Sequence, residues 1–175
     1  QRAAGATERL VELLNADDVV IDPVDPDTLA LPVQGNVVFD NLTFHYPSRP
    51  KVAALDGFSL NIQPGETVAL VGPSGAGKST IFQLLMRFFD PNKGQITLDG
   101  KPIHTLARES FRKHMAMVPQ DPVIFGTSAM ENIRFGRPEA TDGEVVEAAK
   151  AAAAHDFLTA LPDGYDSYVG ERGVM

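Results

Sequence analysis

Between Val37 and Tyr46 the apolar residues Val37, Phe39, Phe44 and Tyr46 are interspersed with polar ones, and Leu55 to Ile62 repeats the texture. That pattern predicts a partly exposed antiparallel β-region. Past Gly65 the texture changes. Val68-Ala69-Leu70-Val71 is an unbroken apolar run, which predicts a strand buried on both faces, and it leads into a glycine-rich stretch. Ile81, Leu84, Leu85 and Phe88 then recur at helical spacing, which predicts a helix with one face on a sheet, ended by Asp90-Pro91. Asn92-Lys93-Gly94 reads as a turn, Gln95 to Leu98 as a strand and Asp99-Gly100 as another turn. Ser128 with Glu131, and Thr141 with Glu144, match the capping box, and Ala148 to Ala154 is alanine-rich helix. Upstream, Ala6, Leu10, Leu13 and Leu14 predict a short amphipathic helix between Arg2 and Asn15. The run Asp22-Pro23-Val24-Asp25-Pro26-Asp27 predicts an extended, solvated linker.

The chain has 175 residues, 43% hydrophobic and 22% charged, enough for one domain with a real core. Its formal net charge of -8 sets the surface as a whole against a nucleic-acid backbone or an anionic bilayer, so a phosphate site has to be local. The absence of cysteine excludes disulfides and thiolate metal sites and is consistent with a reducing compartment. No apolar run approaches the roughly 20 residues of a membrane-crossing helix. The histidines His45, His104, His114 and His155 show no ligand spacing.

Chemistry concentrates in Gly72-Pro73-Ser74-Gly75-Ala76-Gly77-Lys78-Ser79, which fits Gly-x-x-x-x-Gly-Lys-Ser. Gly72, Gly75 and Gly77 let the backbone curl tightly enough to aim successive N–H groups at one anion. The helix that starts near Lys78 adds the positive end of its dipole, and the lysine a full charge. At an effective dielectric of about 20, that charge is worth on the order of 4 kcal/mol per close contact. Ser79 is suited to ligate Mg²⁺ and Thr80 to donate to a phosphate oxygen, so the expected ligand is a Mg²⁺-bound nucleotide.

From Gly35 onward the order of motifs resembles the nucleotide-binding domain of ABC transporters. Phe44-His45-Tyr46-Pro47 looks like the family's A-loop, whose ring stacks on adenine, and Gly72 to Ser79 matches its Walker A loop in full. Val118-Pro119-Gln120, after a short apolar strand, looks like the Q-loop. The resemblance implies that its glutamine, Gln120 here, reaches the metal and the attacking water. Tyr168-Val169-Gly170-Glu171-Arg172-Gly173 resembles the segment that precedes the signature sequence in exporter-type members, and residues 3–9 look like the tail of a connector that follows a last membrane helix. The resemblance implies an α/β fold with a P-loop NTPase core, a parallel sheet and an N-terminal antiparallel β-subdomain. It divides the chain into a connector and linker over residues 1–34 and an ATP-binding domain over 35–175. It also implies a second ATP-binding domain as partner across ATP, membrane domains with coupling helices near Gln120 to Phe125 and near Glu171, and a place on the cytoplasmic face of the membrane.

The family's Leu-Ser-Gly-Gly-Gln signature, its Walker B Asp-Glu and its switch histidine do not occur in the 175 residues. Val19-Val20-Ile21-Asp22 and Val37-Val38-Phe39-Asp40 only superficially look like Walker B, and they read as linker and edge strand. The expectation is that these residues bind Mg-ATP but hydrolyse it negligibly by themselves, and expose apolar surface and sheet edge beside Val68 to Val71. Two alternatives stand beside the exporter: a soluble relative acting in DNA repair or translation, and an unrelated P-loop kinase or GTPase.

Overall fold

A computed structural model describes Val11, residues 20–170 and the backbone of Gly173 and Val174. The predicted N-terminal helix is outside the described residues apart from Val11, and so are Glu171 and Arg172. The chain divides into two compact units, residues 1–116 and 117–175.

In the first unit, β1 (Val37–His45) and β2 (Ala53–Ile62) pair antiparallel as the alternation predicts, with Val37 opposite Ile62 and Phe39 opposite Leu60. β3 (Lys93–Leu98) joins the other edge of β1, and the short β4 (Lys101–Pro102) follows through the Asp99-Gly100 turn, giving the order β2-β1-β3-β4. Where β1 bulges between Asp40 and Thr43, Gly94 lies so close that a Cβ there would stand 2.2 Å from Asp40 O. A strand this tight against a bulge admits only glycine. Phe39, Leu42, Phe44, Leu55, Ile96 and Leu98 form the sheet's share of the core. Ile81 and Leu84 of α1 (Lys78–Leu85), Ile103 and Leu106, and Phe111 of α2 (Arg108–Arg112) complete it.

Several predicted features differ. α1 stops short of Asp90-Pro91, because Arg87 takes a left-handed φ of 52°. The bonds Arg87 N to Leu84 O and Phe88 N to Gln83 O, both 2.9 Å, close a Schellman stop. An L-residue there costs about 1–2 kcal/mol that glycine would avoid. Phe88 therefore leaves the buried face, stays exposed and stacks under the Arg112 guanidinium, 5.1 Å from the ring centroid.

Val68 to Val71 forms no strand, and Val71 is 89% exposed. A strand buried on both faces needs a neighbour on each side. Among the described residues this run pairs with none, and both sheets are antiparallel. Met117 and Val118 before Gln120 are likewise exposed coil, not the predicted short strand.

The run from Asp22 to Asp27 lies outside helix and sheet, with a bend at Val24 and Asp25, but it is not a solvated linker throughout. Val20 is buried, Asp22 is paired with two arginines, and Asp27 N donates to Thr105 O at 2.8 Å. Further along, the Asp99 carboxylate accepts from the amides of Gln34, Gly35 and Asn36 at 2.7–2.9 Å.

The second unit holds α3 (Ala129–Arg134), α4 (Asp142–Ala151) and α5 (His155–Thr159) around Ala129, Ala149 and Leu158. A small sheet of β5 (Thr127–Ser128), β6 (Tyr168–Gly170) and β7 (Gly173–Val174) accompanies them. The alanine-rich segment continues α4 only to Ala151 and then turns at Ala153, φ 55°. Thr141 and Glu144 make both halves of the capping box, whereas at α3 only the Ser128 half forms, because Glu131 is drawn to Arg134.

Candidate nucleotide site

The phosphate loop is built from one backbone contact outward. Gly77 caps α1 in a left-handed conformation, φ 84°, and a Cβ there would lie 2.6 Å from Ala54 O and 2.8 Å from Leu55 Cδ2. Glycine thus serves two purposes: it permits the conformation, and it lets α1 start against the main chain of β2. The first helical hydrogen bond runs from Ile81 N to Gly77 O at 3.1 Å, so the amides of Lys78, Ser79 and Thr80 have no partner inside the helix. Those donors and the positive end of the helix form an anion-binding geometry.

The Lys78 ammonium reaches back over the loop and donates to Gly72 O and Pro73 O, both at 2.7 Å. Two of its three protons are used there, which holds the charge at the loop mouth. Ser74, Gly75, Ala76 and Ser79 are exposed along the same turn, and Ala76 N closes it by donating to Pro73 O at 3.2 Å. The residues present therefore fit a phosphate chain: free amides, a fixed ammonium and an accessible serine hydroxyl of the kind that ligates Mg²⁺.

Tyr46 is half-buried beside this loop, edge-on to Phe44 at 4.9 Å and to Phe89 at 5.6 Å between centroids. Its hydroxyl donates to Gln83 Oε1 at 2.7 Å and lies 2.9 Å from Thr80 Oγ1. A phenol has one proton. Since Tyr46 spends it on Gln83, the second bond must carry the proton of Thr80, which points at Tyr46. For Thr80 to donate to a phosphate, this bond has to be exchanged. Gln83 is a residue that sequence reasoning missed. Its only signal was a polar side chain about one turn past Ser79 and Thr80 on α1.

The structure thus brings Tyr46, Thr80 and Gln83 together, and Lys78 with Gly72 and Pro73, all within the first unit. Gln120 belongs to the second unit, exposed in a bend. There the loop through Phe125 is fixed by Asn132, which accepts from Phe125 N at 2.8 Å and donates to Phe125 O and Ser128 O at 3.0 Å. Nothing in the sequence pattern singled out Asn132. Phe125 and Phe135 pack at 4.5 Å, each with substantial exposure. Among the described residues no cluster of His, Asp or Glu could hold a metal, and no helix is long and apolar enough to cross a membrane.

Resolved charge perturbations fall in the second unit, at the surface. The Glu144 carboxyl is held below the usual glutamate range by the Thr141 amide first, then the Thr141 hydroxyl and Arg137. Glu147 is lowered by its bond from Lys150, whose own value is raised by Glu147. Hydrogen bonds to Asp142 and then Glu131 raise Arg134. These are helix-end pairs, and none touches the phosphate loop.

A loop that opens a helix onto glycine-spaced amides, a lysine across its mouth and an antiparallel β-subdomain beside it define a P-loop nucleotide-binding protein. Residues 55–171 match the family model of the ABC transporter domain, and the chain belongs to the ABC transporter family, with the ABC ATPase fold. It is 49% identical over 175 residues to ABC transporter B family member 19 of Arabidopsis thaliana, covering 99% of this chain and 14% of that protein. It is 50% identical over 152 residues to ABC transporter B family member 3 of Dictyostelium discoideum, covering 87% of this chain and 10% of the relative. A solved bacterial Atm1-family ABC exporter with ATP bound superposes with a TM-score of 0.86 at 42% identity, over 95% of this chain and 29% of that one. The chain therefore spans only about a tenth to a seventh of the length of these curated relatives.

Proposed function

We propose that this chain is the ATP-binding part of an exporter, in which ATP binding and hydrolysis are coupled to movement of membrane domains. The observation that carries the reading is the phosphate loop: Gly77 seated on Ala54 and Leu55, the first amides of α1 without helical partners, and Lys78 held at the mouth. The family membership and the likeness to an exporter with ATP bound support it.

In this reading the loop amides and Lys78 grip the phosphates, and Tyr46 supplies an aromatic platform for the base. Such a platform contributes about 1–3 kcal/mol per base. Ser79 ligates Mg²⁺, which would neutralise charge on the outer phosphates. Gln120 is assigned to sensing the metal and the attacking water. The segment from Gln120 to Phe125, with Glu171, is assigned to contact with the membrane domains, on the cytoplasmic face of the membrane. A second ATP-binding domain completes the site across the nucleotide, and the 175 residues by themselves bind without appreciable turnover. Residues 1–34 serve as connector and linker, and 35–175 as the first part of the ATP-binding domain.

Titration of the chain with ATP and Mg²⁺, against Lys78→Ala, tests the proposal. Loss of the ammonium should weaken binding at least tenfold, equivalent to about 1.4 kcal/mol. Equal affinity in both proteins would refute the phosphate assignment. Comparison with GTP distinguishes an aromatic platform, which tolerates several bases, from a guanine-reading pocket.

A further inference from the structure

The helix that opens the phosphate loop is held at its other end by a group of charged residues that nucleotide binding does not use. Arg87 is 3% exposed, yet it occupies the left-handed position that closes α1, where glycine would be less strained. Its side chain accounts for the choice. Nε donates to Asp90 Oδ1 at 2.9 Å and Nη2 to Asp90 Oδ2 at 3.4 Å, Nη2 to Ile21 O at 3.0 Å, and Nη1 to Leu106 O at 3.3 Å. Nη1 also meets Asp22 Oδ1 at 3.4 Å. The same Asp22 oxygen accepts from Arg108 Nε at 3.0 Å and Arg108 N at 3.2 Å, at the start of α2. Arg112 of α2 in turn donates to Met86 O and Arg87 O, at 2.8 and 3.1 Å, satisfying carbonyls at the end of α1.

Two consequences follow. The residues around Val20 and Asp22 are fastened to the C-terminal end of a helix whose N-terminal end is the phosphate loop. α1 has eight residues, about 12 Å of rigid rod between the two ends. Asp22 is, with Asp90, one of two carboxylates that balance the buried Arg87, so a change at Asp22 acts on the C-terminal end of α1.

We infer that Asp22 and Arg87 are positioning residues for nucleotide binding: they clasp the incoming N-terminal segment to α1, so that displacement of that segment is transmitted to the phosphate loop and changes its affinity for nucleotide. Coupling through packed elements of this kind is typically worth a 2- to 30-fold change in affinity, roughly. The inference rests on the reading of the loop as a phosphate site.

The test is the dissociation constant for Mg-ATP, with thermal midpoints measured in parallel, on the 175-residue chain carrying Asp22→Asn or Arg87→Gly. The asparagine keeps the shape and removes the charge. The glycine keeps, and relaxes, the helix stop while removing the clasp, so it covers the case in which the first variant does not fold. Asp99→Asn is the control, because Asp99 anchors the same segment at Gln34, Gly35 and Asn36 without touching α1. Expected is a several-fold weaker dissociation constant in both clasp variants and wild-type affinity in Asp99→Asn, whatever the midpoints do. Wild-type affinity in a folded Asp22→Asn or Arg87→Gly chain overturns the inference and leaves the phosphate site standing. No binding by the wild type overturns the phosphate reading and the inference with it.

Discussion

Replacing Gly77 by alanine should be the most damaging glycine-to-alanine change in the Gly72 to Ser79 loop. The added methyl meets two separate costs. At φ 84° an L-residue is strained by about 1–2 kcal/mol. The Cβ would also stand 2.6 Å from a main-chain oxygen and 2.8 Å from Leu55 Cδ2, which cannot both be relieved by turning a side chain. Overpacking of that kind typically costs about 1–3 kcal/mol, so the sum is about 2–5 kcal/mol. For a chain of this size that lowers the thermal midpoint by roughly 4–20 °C, unless α1 retreats from β2 and the loop amides lose their aim. Either way ATP binding suffers. Gly65→Ala provides the comparison, since its φ of 74° is equally left-handed but a Cβ there would meet nothing within 4 Å. It should show the strain alone, about 1–2 kcal/mol, with unchanged ATP affinity. Unfolding by calorimetry and titration with ATP on both variants decide the matter. A Gly77→Ala chain as stable as Gly65→Ala, with wild-type affinity, would refute the argument that this glycine is required by backbone contact.

Tyr46→Phe should keep ATP affinity within about threefold while losing roughly 1 kcal/mol of stability, because the ring remains and the bonds to Thr80 and Gln83 do not. Tyr46→Ala should weaken ATP by about 1–3 kcal/mol if the ring is the platform, as read by the same titration. Thr141→Ala should cost about 1 kcal/mol in chemical denaturation of the second unit, through loss of the cap on α4. Glu144, with its folded pKa lowered chiefly by the Thr141 amide, contributes stability that is present above the unfolded glutamate value and lost as pH falls through the lowered folded one. Acid unfolding followed by circular dichroism should accordingly be less steep in Glu144→Gln; an unchanged profile would count against the cap as the cause.

The local pattern alone determined much of this protein. Alternation located β1 and β2, the Gly-x-x-x-x-Gly-Lys-Ser spacing located the glycine-rich turn that opens α1, and Thr141 with Glu144 located the start of α4. Each is encoded within a few residues, where steric limits and hydrogen-bond reach are decided by neighbours along the chain. Tertiary structure decided what depends on residues far apart. Val68 to Val71 reads as a buried strand, but a strand needs partners, and among the described residues it has none. Asp22 reads as a solvated linker acid because prolines and acids surround it; its actual partners, Arg87 and Arg108, are 65 and 86 residues away. The same holds for the hydroxyl of Tyr46, whose ring was legible as a candidate platform while its tie to Thr80 and Gln83 was not. Propensity and periodicity are properties of a segment, whereas the pairing of a buried charge or a single hydroxyl proton is settled only when the chain folds back on itself.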